Sequence, residues 1–333
     1  MSSLPNAAMG AALSAALAVK RQHVETLMHL PNVVATGVGY KIAGDTPTNE
    51  LSVIVSVRKK LPLAQLSASA VVPKAIGGVQ TDVIETGDIR AFQDPKKKFR
   101  PAPPGVSIGH YQITAGTLGC LVRKNAQTLI LSNNHVLANS NNAQVGDAIL
   151  QPGAYDGGTS ADQIGTLAEF IPIAFDGTLP APPGCLAQLL ALLGLKPRSP
   201  LQNEPGNNRV DCALARPTTP DLVIPGILNI GVPTGVSTVT LGAQVQKSGR
   251  TTGYTTSTIL QVEVTVTVNY GGPLATFTGQ LMAGAMSAGG DSGSAVLDMQ
   301  KRVVGLLFAG SETTTILNPI QDVIQMLGVE IVT

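Results

Sequence analysis

Apolar and polar positions change period after the first thirty residues of the chain. Through residues 6–29 apolar side chains recur at steps of three and four, which predicts one helix that ends before Pro31. Strand-like runs rich in Val and Ile follow at residues 32–41, 50–57 and 81–84. Residues 1–90 are therefore predicted to form a small α+β domain, and their sequence contains no catalytic constellation.

The rest of the chain alternates short apolar runs with turns rich in Gly and Pro, a pattern typical of many-stranded β proteins. Strands are predicted at residues 116–122, 128–131, 146–152, 163–167, 169–173, 244–253, 257–268, 275–282, 293–297 and 303–308, and a closing helix at 319–327. The Pro- and Lys-rich residues 91–105 are predicted to be a linker, which leaves 106–333 as the main domain. The basic cluster in that linker is read as solvated, with binding of an acidic partner as the alternative.

One segment departs from this alternation. Residues 176–208 are Pro- and Gly-rich at both ends and enclose an almost wholly apolar run at 185–193. This insertion is interpreted as a short helix packed against the strands, or as a surface for a partner or a second copy. The sequence leaves both open.

Composition argues against several classes of function. Charged residues make up 13% of the chain and the net charge is +1, which argues against a nucleic-acid-binding face. The apolar stretch at residues 7–19 is too short to cross a membrane and has no basic segment before it, so it is interpreted as a helix. The three cysteines give no disulfide framework, and no ligand spacing suggests a metal or other cofactor.

Candidate chemistry centres on residues 287–296, SAGGDSGSAV, where Ser292 lies between glycines and follows Asp291. A nucleophilic serine needs a base and backbone N–H groups directed at the oxyanion, and glycines leave those groups unobstructed. The alternative is a surface turn. His135 follows shortly after an apolar run, and Asp211 lies inside another apolar run. Taken alone, His135 would be a buried core histidine, but the order His, Asp, Ser favours a catalytic triad.

Together with the SGRTTG stretch that contains Arg250, these segments resemble the trypsin/chymotrypsin-like serine peptidases, in the bacterial branch of alpha-lytic protease and the streptogrisins. The resemblance covers roughly residues 105–327. It implies a mainly β chymotrypsin-like double β-barrel with a C-terminal helix. By the same resemblance His135 is the base, Asp211 its orienting partner and Ser292 the nucleophile. The N–H groups of Gly290 and Ser292 would then form the oxyanion hole.

The resemblance also implies partners for other residues. Asp291, buried behind the nucleophile, would pair with Arg250, and the alternative places Arg250 exposed at a turn. Phe308, Ala309 and Gly310 match the edge strand that pairs with substrate. Phe308 stands where relatives carry a serine near the triad aspartate, which removes a hydroxyl from that carboxylate.

Met286 aligns with the base of the pocket for the residue before the scissile bond. With Ala309 and Gly310 on the walls, this pocket is expected to be open, apolar and without an acidic partner for a basic side chain. Extracellular relatives often bridge a cysteine at the Cys120 position to one just after the histidine. Here Val136 follows the histidine, which favours a cytoplasmic location, with secretion as the alternative.

The sequence thus predicts a serine endopeptidase that hydrolyses peptide bonds after apolar residues through an acyl-enzyme. Its partners would be protein or peptide substrates rather than nucleic acid or membrane, and a homo-oligomer stays open. A catalytically weak or inactive scaffold on the same fold is the alternative, and an esterase using the same triad is a third reading.

Overall fold

The computed structural model describes residues 6–44, 46–89, 93–113, 115–177 and 203–333. The chain divides into two compact units, Met1–Gln93 and Asp94–Thr333.

The first unit contains one helix and a four-stranded sheet. Its elements are α1 (Asn6–Met28), β1 (Val33–Ala43), β2 (Thr46–Val57), β3 (Ala75–Ile76) and β4 (Val79–Glu85), with sheet order β1-β2-β4-β3. Alternation along β2 buries Val53 and Val55, which pack with Leu27 of the helix. The helix and the strands predicted for this part of the chain are confirmed.

The second unit is built mostly from strands. In chain order its strands and helices are β5 (Ser107–His110), β6 (Gly116–Thr117), β7 (Cys120–Lys124), β8 (Gln127–Ser132), α2 (Asn134–Leu137), β9 (Ala148–Leu150), β10 (Gln163–Phe170), β11 (Ala213–Pro217), β12 (Gly235–Val236), β13 (Gln244–Gly249), β14 (Gly253–Asn269), β15 (Leu274–Gly284), β16 (Ala295–Asp298), β17 (Arg302–Gly310), β18 (Thr314–Pro319), α3 (Ile320–Leu327) and β19 (Glu330–Ile331). The closing helix was predicted, whereas β18 was not.

The strands of this unit form two curled sheets. The first has the order β19-β7-β8-β11-β10-β9-β5-β6. It curls because residues 116–124 pair with β5 through β6 at one end and with β8 through β7 at the other. The second sheet has the order β12-β17-β16-β13-β14-β15-β18, and an additional pairing of β17 with β18 closes six of its strands into a ring. The unit is therefore a mainly β, chymotrypsin-like double β-barrel.

Val, Leu, Ile and Ala fill both barrels. Three apolar clusters account for most of the buried side chains, and one of them also takes in the inner face of α3 through Ile320, Val323 and Leu327. Branched aliphatic residues suit inward positions of a small barrel because they fill its interior without polar atoms.

The prediction of a linker at residues 91–105 is wrong for residues 94–105, which belong to the second unit. Ala102 is fully buried and its N–H donates to the carbonyl of Leu222, and the N–H of Phe99 donates to Oε1 of Gln151. The composition was that of a linker, but partners distant in sequence satisfy this backbone and bury it.

Two further expectations concern the middle of the chain. Asp211 was expected to open the stretch leading into the second barrel, but the strand after it, β11, pairs with β8 and β10 of the first sheet. The apolar run at 185–193 and Cys185 lie outside the described residues. Among the described helices, none has the length and apolar character needed to cross a membrane.

Candidate active site

The first barrel brings His135 and Asp211 together. His135 lies in α2, directly after β8, and Asp211 lies just before β11. Because β8 and β11 are neighbours, with Ser132 opposite Ala213, the two side chains meet at the ends of paired strands. The Nδ1 atom of His135 is 2.6 Å from Oδ2 of Asp211. This bond occupies Nδ1 and leaves Nε2 as the other ring nitrogen for proton exchange.

Ser292 comes from the second barrel, on the turn between β15 and β16. Its carbonyl accepts a hydrogen bond of 2.7 Å from the N–H of Thr117, which ties this turn to the first barrel. His135 and Ser292 line one cavity of about 800 Å³. The structure therefore brings the predicted histidine, aspartate and serine to one site.

The carboxylate of Asp211 is fully buried and bound on both oxygens. The N–H of His135 donates to Oδ1 at 3.3 Å, and the hydroxyl of Tyr270 donates to Oδ2 at 2.9 Å. The backbone of Asp211 is also held, by the side chains of Asn318 and Asn133. Burial raises the pKa of Tyr270 well above its ordinary value, and the charge of Asp211 raises it further.

In the glycine loop that ends at Ser292, two backbone N–H groups point away from the loop's own hydrogen-bond partners. The carbonyl of Gly289 accepts from Oγ1 of Thr251, so the N–H of Gly290 on the same trans peptide points the opposite way. The carbonyl of Asp291 likewise accepts from Ser294, which turns the N–H of Ser292 outward. Within the described residues neither of these two N–H groups donates a hydrogen bond. Gly290 has φ +95°, a conformation that favours glycine.

The predicted ion pair between Asp291 and Arg250 is wrong. The partner of Asp291 is Lys247, whose Nζ lies 3.4 Å from Oδ2, and both side chains are fully buried. Backbone N–H groups of Thr251 and Thr252 donate to Oδ1 of Asp291, and that of Ala288 donates to Oδ2.

Lys247 has further partners. Its Nζ contacts Oγ1 of Thr252 and donates to the carbonyl of Gly253. Burial lowers the pKa of Lys247, and the charge and hydrogen bond of Asp291 act against that shift.

Arg250 pairs instead with Asp156, through Nε at 2.8 Å and through a second bond from Nη2. This bidentate pair is almost fully buried, and the guanidinium also lies 5.2 Å from the ring centre of Tyr155. The alternative of an exposed Arg250 is therefore wrong as well. The backbone after Arg250 binds Asp291 through the N–H groups of Thr251 and Thr252, whereas the side chain of Arg250 is held by Asp156.

The cavity walls agree in part with the substrate residues named from the sequence. Phe308, Ala309 and Gly310 line the cavity, together with Ser287, Ala288 and Gly289. Met286, expected at the base of the pocket, lies instead in an apolar core cluster outside the cavity lining. Its neighbour Ser287 places a hydroxyl 2.8 Å from that of Thr315.

Two other observations concern Glu312 and Phe308. A carboxylate, Glu312, lines this cavity, although no acidic group was expected in the pocket. The ring of Phe308 packs against Phe277, with centroids 4.7 Å apart. The hydroxyl missing at position 308 is supplied to Asp211 by Tyr270.

Some residues that hold the site escaped the sequence prediction. Three residues distant in the chain bind parts of the predicted site. Thr117 donates to the carbonyl of Gly290, Lys247 pairs with Asp291, and Tyr270 donates to Asp211. A lysine inside the strand run of residues 244–249 was a usable signal, because a buried lysine needs a partner. Among the described residues, no group of three or more His, Cys, Asp or Glu side chains could hold a metal ion.

Comparisons with known proteins give fold neighbours. Thermobifida fusca protease A aligns with a TM-score of 0.47 and 22% identity, covering 70% of this chain and all of the other. A Nocardiopsis protease has a TM-score of 0.47 and 18% identity over 70% of this chain and all of the other. An alpha-lytic protease homolog, N4, has a TM-score of 0.43 and 17% identity over 68% of this chain and 96% of the other. No protein-family model and no curated protein matches the sequence.

These neighbours are bacterial chymotrypsin-like serine proteases. The second unit of this chain is a chymotrypsin-like double β-barrel, and residues of both barrels line the cavity described above.

Proposed function

We propose that this protein is a serine endopeptidase. The observation that carries the proposal is the placement of a histidine, bound through Nδ1 to a buried aspartate, in the same cavity as a serine on a glycine turn. Each of these groups comes from a different part of the chain, and a surface turn around Ser292 would not require them to meet.

In the proposed reaction Oγ of Ser292 attacks the carbonyl carbon of the scissile peptide bond. The Nε2 atom of His135 takes the hydroxyl proton and then passes it to the leaving amine. Asp211 holds the ring with Nδ1 protonated and stabilises the imidazolium. Water, activated by the same histidine, then hydrolyses the acyl-enzyme and restores the serine.

The N–H groups of Gly290 and Ser292 are proposed to bind the oxyanion. Their support is that both are turned away from the acceptors of their own loop and lack an acceptor in the described structure. Losing one such donor typically lowers kcat by about 10²–10³. Thr251 and Ser294 fix the peptides that carry these groups, because their hydroxyls donate to the carbonyls of Gly289 and Asp291.

A peptide substrate is proposed to pair with the edge of β17. At Ala309 and Gly310 the paired partner within the described residues is β18, on one side only. The pocket walls at Ala288, Gly289 and Ala309 are small and uncharged, which supports an apolar residue before the scissile bond.

The test is covalent labelling with a fluorophosphonate, which reacts with activated serines. Wild-type protein is expected to be labelled at Ser292, and Ser292→Ala and His135→Ala are expected to lose the label while they stay folded. A folded wild type that does not react would contradict the proposal and favour the inactive scaffold. Labelled protein that cleaves esters and no peptide would favour the esterase.

A further inference from the structure

The buried carboxylate of Asp211 has a hydrogen-bond donor outside the expected triad. The hydroxyl of Tyr270 lies 2.9 Å from Oδ2, the same oxygen that accepts the 2.6 Å bond from Nδ1 of His135. Within the part of the chain that the structure describes, the other oxygen has the longer 3.3 Å bond from the N–H of His135 alone. Because the side chain of Asp211 has no solvent exposure, water does not replace a donor that is lost.

Tyr270 is held at the tip of the hairpin between β14 and β15. Its N–H donates to the carbonyl of Pro273, and Oδ1 of Asn269 accepts from the N–H groups of Gly271 and Gly272. These bonds give the tip a fixed turn, so the position of the phenol follows the position of the whole hairpin.

Packing fixes the ring of Tyr270 on several sides. It meets Phe175 edge-on at 5.7 Å between centroids, lies 6.4 Å from Phe277, and meets the ring of His135 edge-on at 5.8 Å. A phenol packed in this way has few rotamers in which to place its hydroxyl. The bond to Asp211 therefore comes from a preorganised side chain.

The hairpin is also attached to the chain next to Phe175. The N–H of Asp176 donates to the carbonyl of Leu274 at 2.8 Å, and Oδ2 of Asp176 accepts from the hydroxyl of Thr276 at 2.8 Å. This attachment sits at the start of β15, four to six residues beyond Tyr270 in the sequence. The hairpin tip thus has its own support beside the site.

We infer that Tyr270 is a positioning residue for the triad, which fixes the carboxylate of Asp211 against His135 from the hairpin tip. The inference rests on the proposed function. Two donors on Oδ2 hold the carboxylate in the rotation in which that oxygen faces Nδ1, and loss of the hydroxyl would leave His135 alone to hold that rotation. Burial keeps the phenol protonated and thus a donor, in agreement with its raised pKa.

The decisive variant is Tyr270→Phe, which removes the hydroxyl and keeps the ring contacts. Tyr254→Phe is the matched control, because Tyr254 lies near the start of β14, the strand that leads to Tyr270. Within the described residues its hydroxyl bonds to Oε1 of Gln246, at 3.3 Å, and not to the triad. We expect Tyr270→Phe to lower kcat on a peptide substrate by roughly ten- to a hundredfold, with KM within about twofold of wild type. The control should leave both constants unchanged.

A second readout does not depend on turnover. The proton on Nδ1 of His135, bound to a buried carboxylate, should give an NMR resonance far downfield of the amides in wild type. It should shift or broaden in Tyr270→Phe and stay in place in Tyr254→Phe. An unchanged resonance together with kcat within twofold of wild type would overturn the inference.

The two readouts separate this inference from the proposed function. If no peptide is cleaved by any form, the resonance still reports whether Tyr270 orders the pair, and an unchanged resonance in Tyr270→Phe then overturns the inference by itself. Equal losses of kcat in both tyrosine variants would also overturn the inference, because they would show a general effect on the hairpin of β14 and β15.

Discussion

The buried pair of Lys247 and Asp291 allows a sharp test, because the family resemblance and the structure assign different partners to Asp291. Replacing Lys247 by methionine keeps most of the side-chain volume and removes the charge. Asp291 then stays buried without its cation, which lies 3.4 Å from Oδ2 in the intact protein.

The size of the effect follows from the remaining donors. Breaking a buried ion pair costs about 3–5 kcal/mol when the other charge is left uncompensated. Here Asp291 keeps N–H bonds from Thr251 at 2.7 Å, Thr252 at 3.1 Å and Ala288 at 2.9 Å, and a hydroxyl bond from Thr252 at 2.6 Å. Lys247→Met should therefore lower the free energy of unfolding by about 2–3 kcal/mol, at or just below the lower limit of that range. For a domain of this size the midpoint of thermal unfolding falls by about 5–10 °C.

The assay is a pair of double-mutant cycles followed by chemical denaturation. One cycle combines Lys247→Met with Asp291→Asn, and the matched control combines Arg250→Met with Asp291→Asn. We expect a coupling of about 1–3 kcal/mol in the first cycle and less than about 0.5 kcal/mol in the second. A larger coupling between Arg250 and Asp291 than between Lys247 and Asp291 would refute the assignment.

Two further predictions concern stability away from the triad. Burial acts to raise the pKa of Asp156, but hydrogen bonds and the charge of Arg250 outweigh it and hold the pKa below the ordinary value of 3.8. A lowered folded-state pKa stabilises the fold above the ordinary value and loses that effect as the pH falls through the folded pKa. Asp156→Asn should thus lower the melting temperature near neutral pH, with a difference from wild type that shrinks as the pH falls from about 5 through 3.8 and below. A constant difference across that range would contradict it.

The second of these predictions concerns Gly119, where an added Cβ would clash with the carbonyl oxygen of Gly293. Gly119→Ala should therefore destabilise the protein by about 1–3 kcal/mol in urea denaturation. Gly10→Ala, with open space around its Cβ, is the control, and equal effects would contradict the steric account.

The groups that carry the candidate chemistry could be predicted because their signals are local. Ser292 lies in a glycine turn, and His135 and Asp211 lie beside apolar runs that became β8 and β11. The alternation of apolar runs and turns also predicted most of the strands. Each of these features depends on neighbours in the sequence, which a single chain displays directly.

The partners of those groups could not be predicted in the same way. Strand alternation puts Lys247 on the same side of β13 as Gly249, whose Cβ position lies 2.5 Å from Oδ1 of Asp291. Arg250 falls in the turn after that strand, where alternation gives no direction. The family motif therefore predicted Arg250 as the partner of Asp291, whereas the direction of the strand places Lys247 beside that carboxylate.

Tyr270 was beyond prediction for another reason. β14 and β15 pair with three shifts of register, so apolar alternation does not fix where the hairpin tip lies. The packing of residues 94–105 could not be predicted either, because the hydrogen bond of Ala102 to Leu222 joins residues far apart in the chain. In both cases the deciding contact is long-range and leaves no local pattern.

The central claim is that Ser292 cleaves peptide bonds, and the most direct measurement is hydrolysis of a peptide library read by mass spectrometry. We predict that wild-type protein generates new termini and that Ser292→Ala, folded and equally pure, generates none. The residues before the cut are predicted to be apolar, and cuts after basic residues would instead indicate that Glu312 sets the preference. Absence of cleavage by folded wild type, or equal cleavage by Ser292→Ala, would contradict the account.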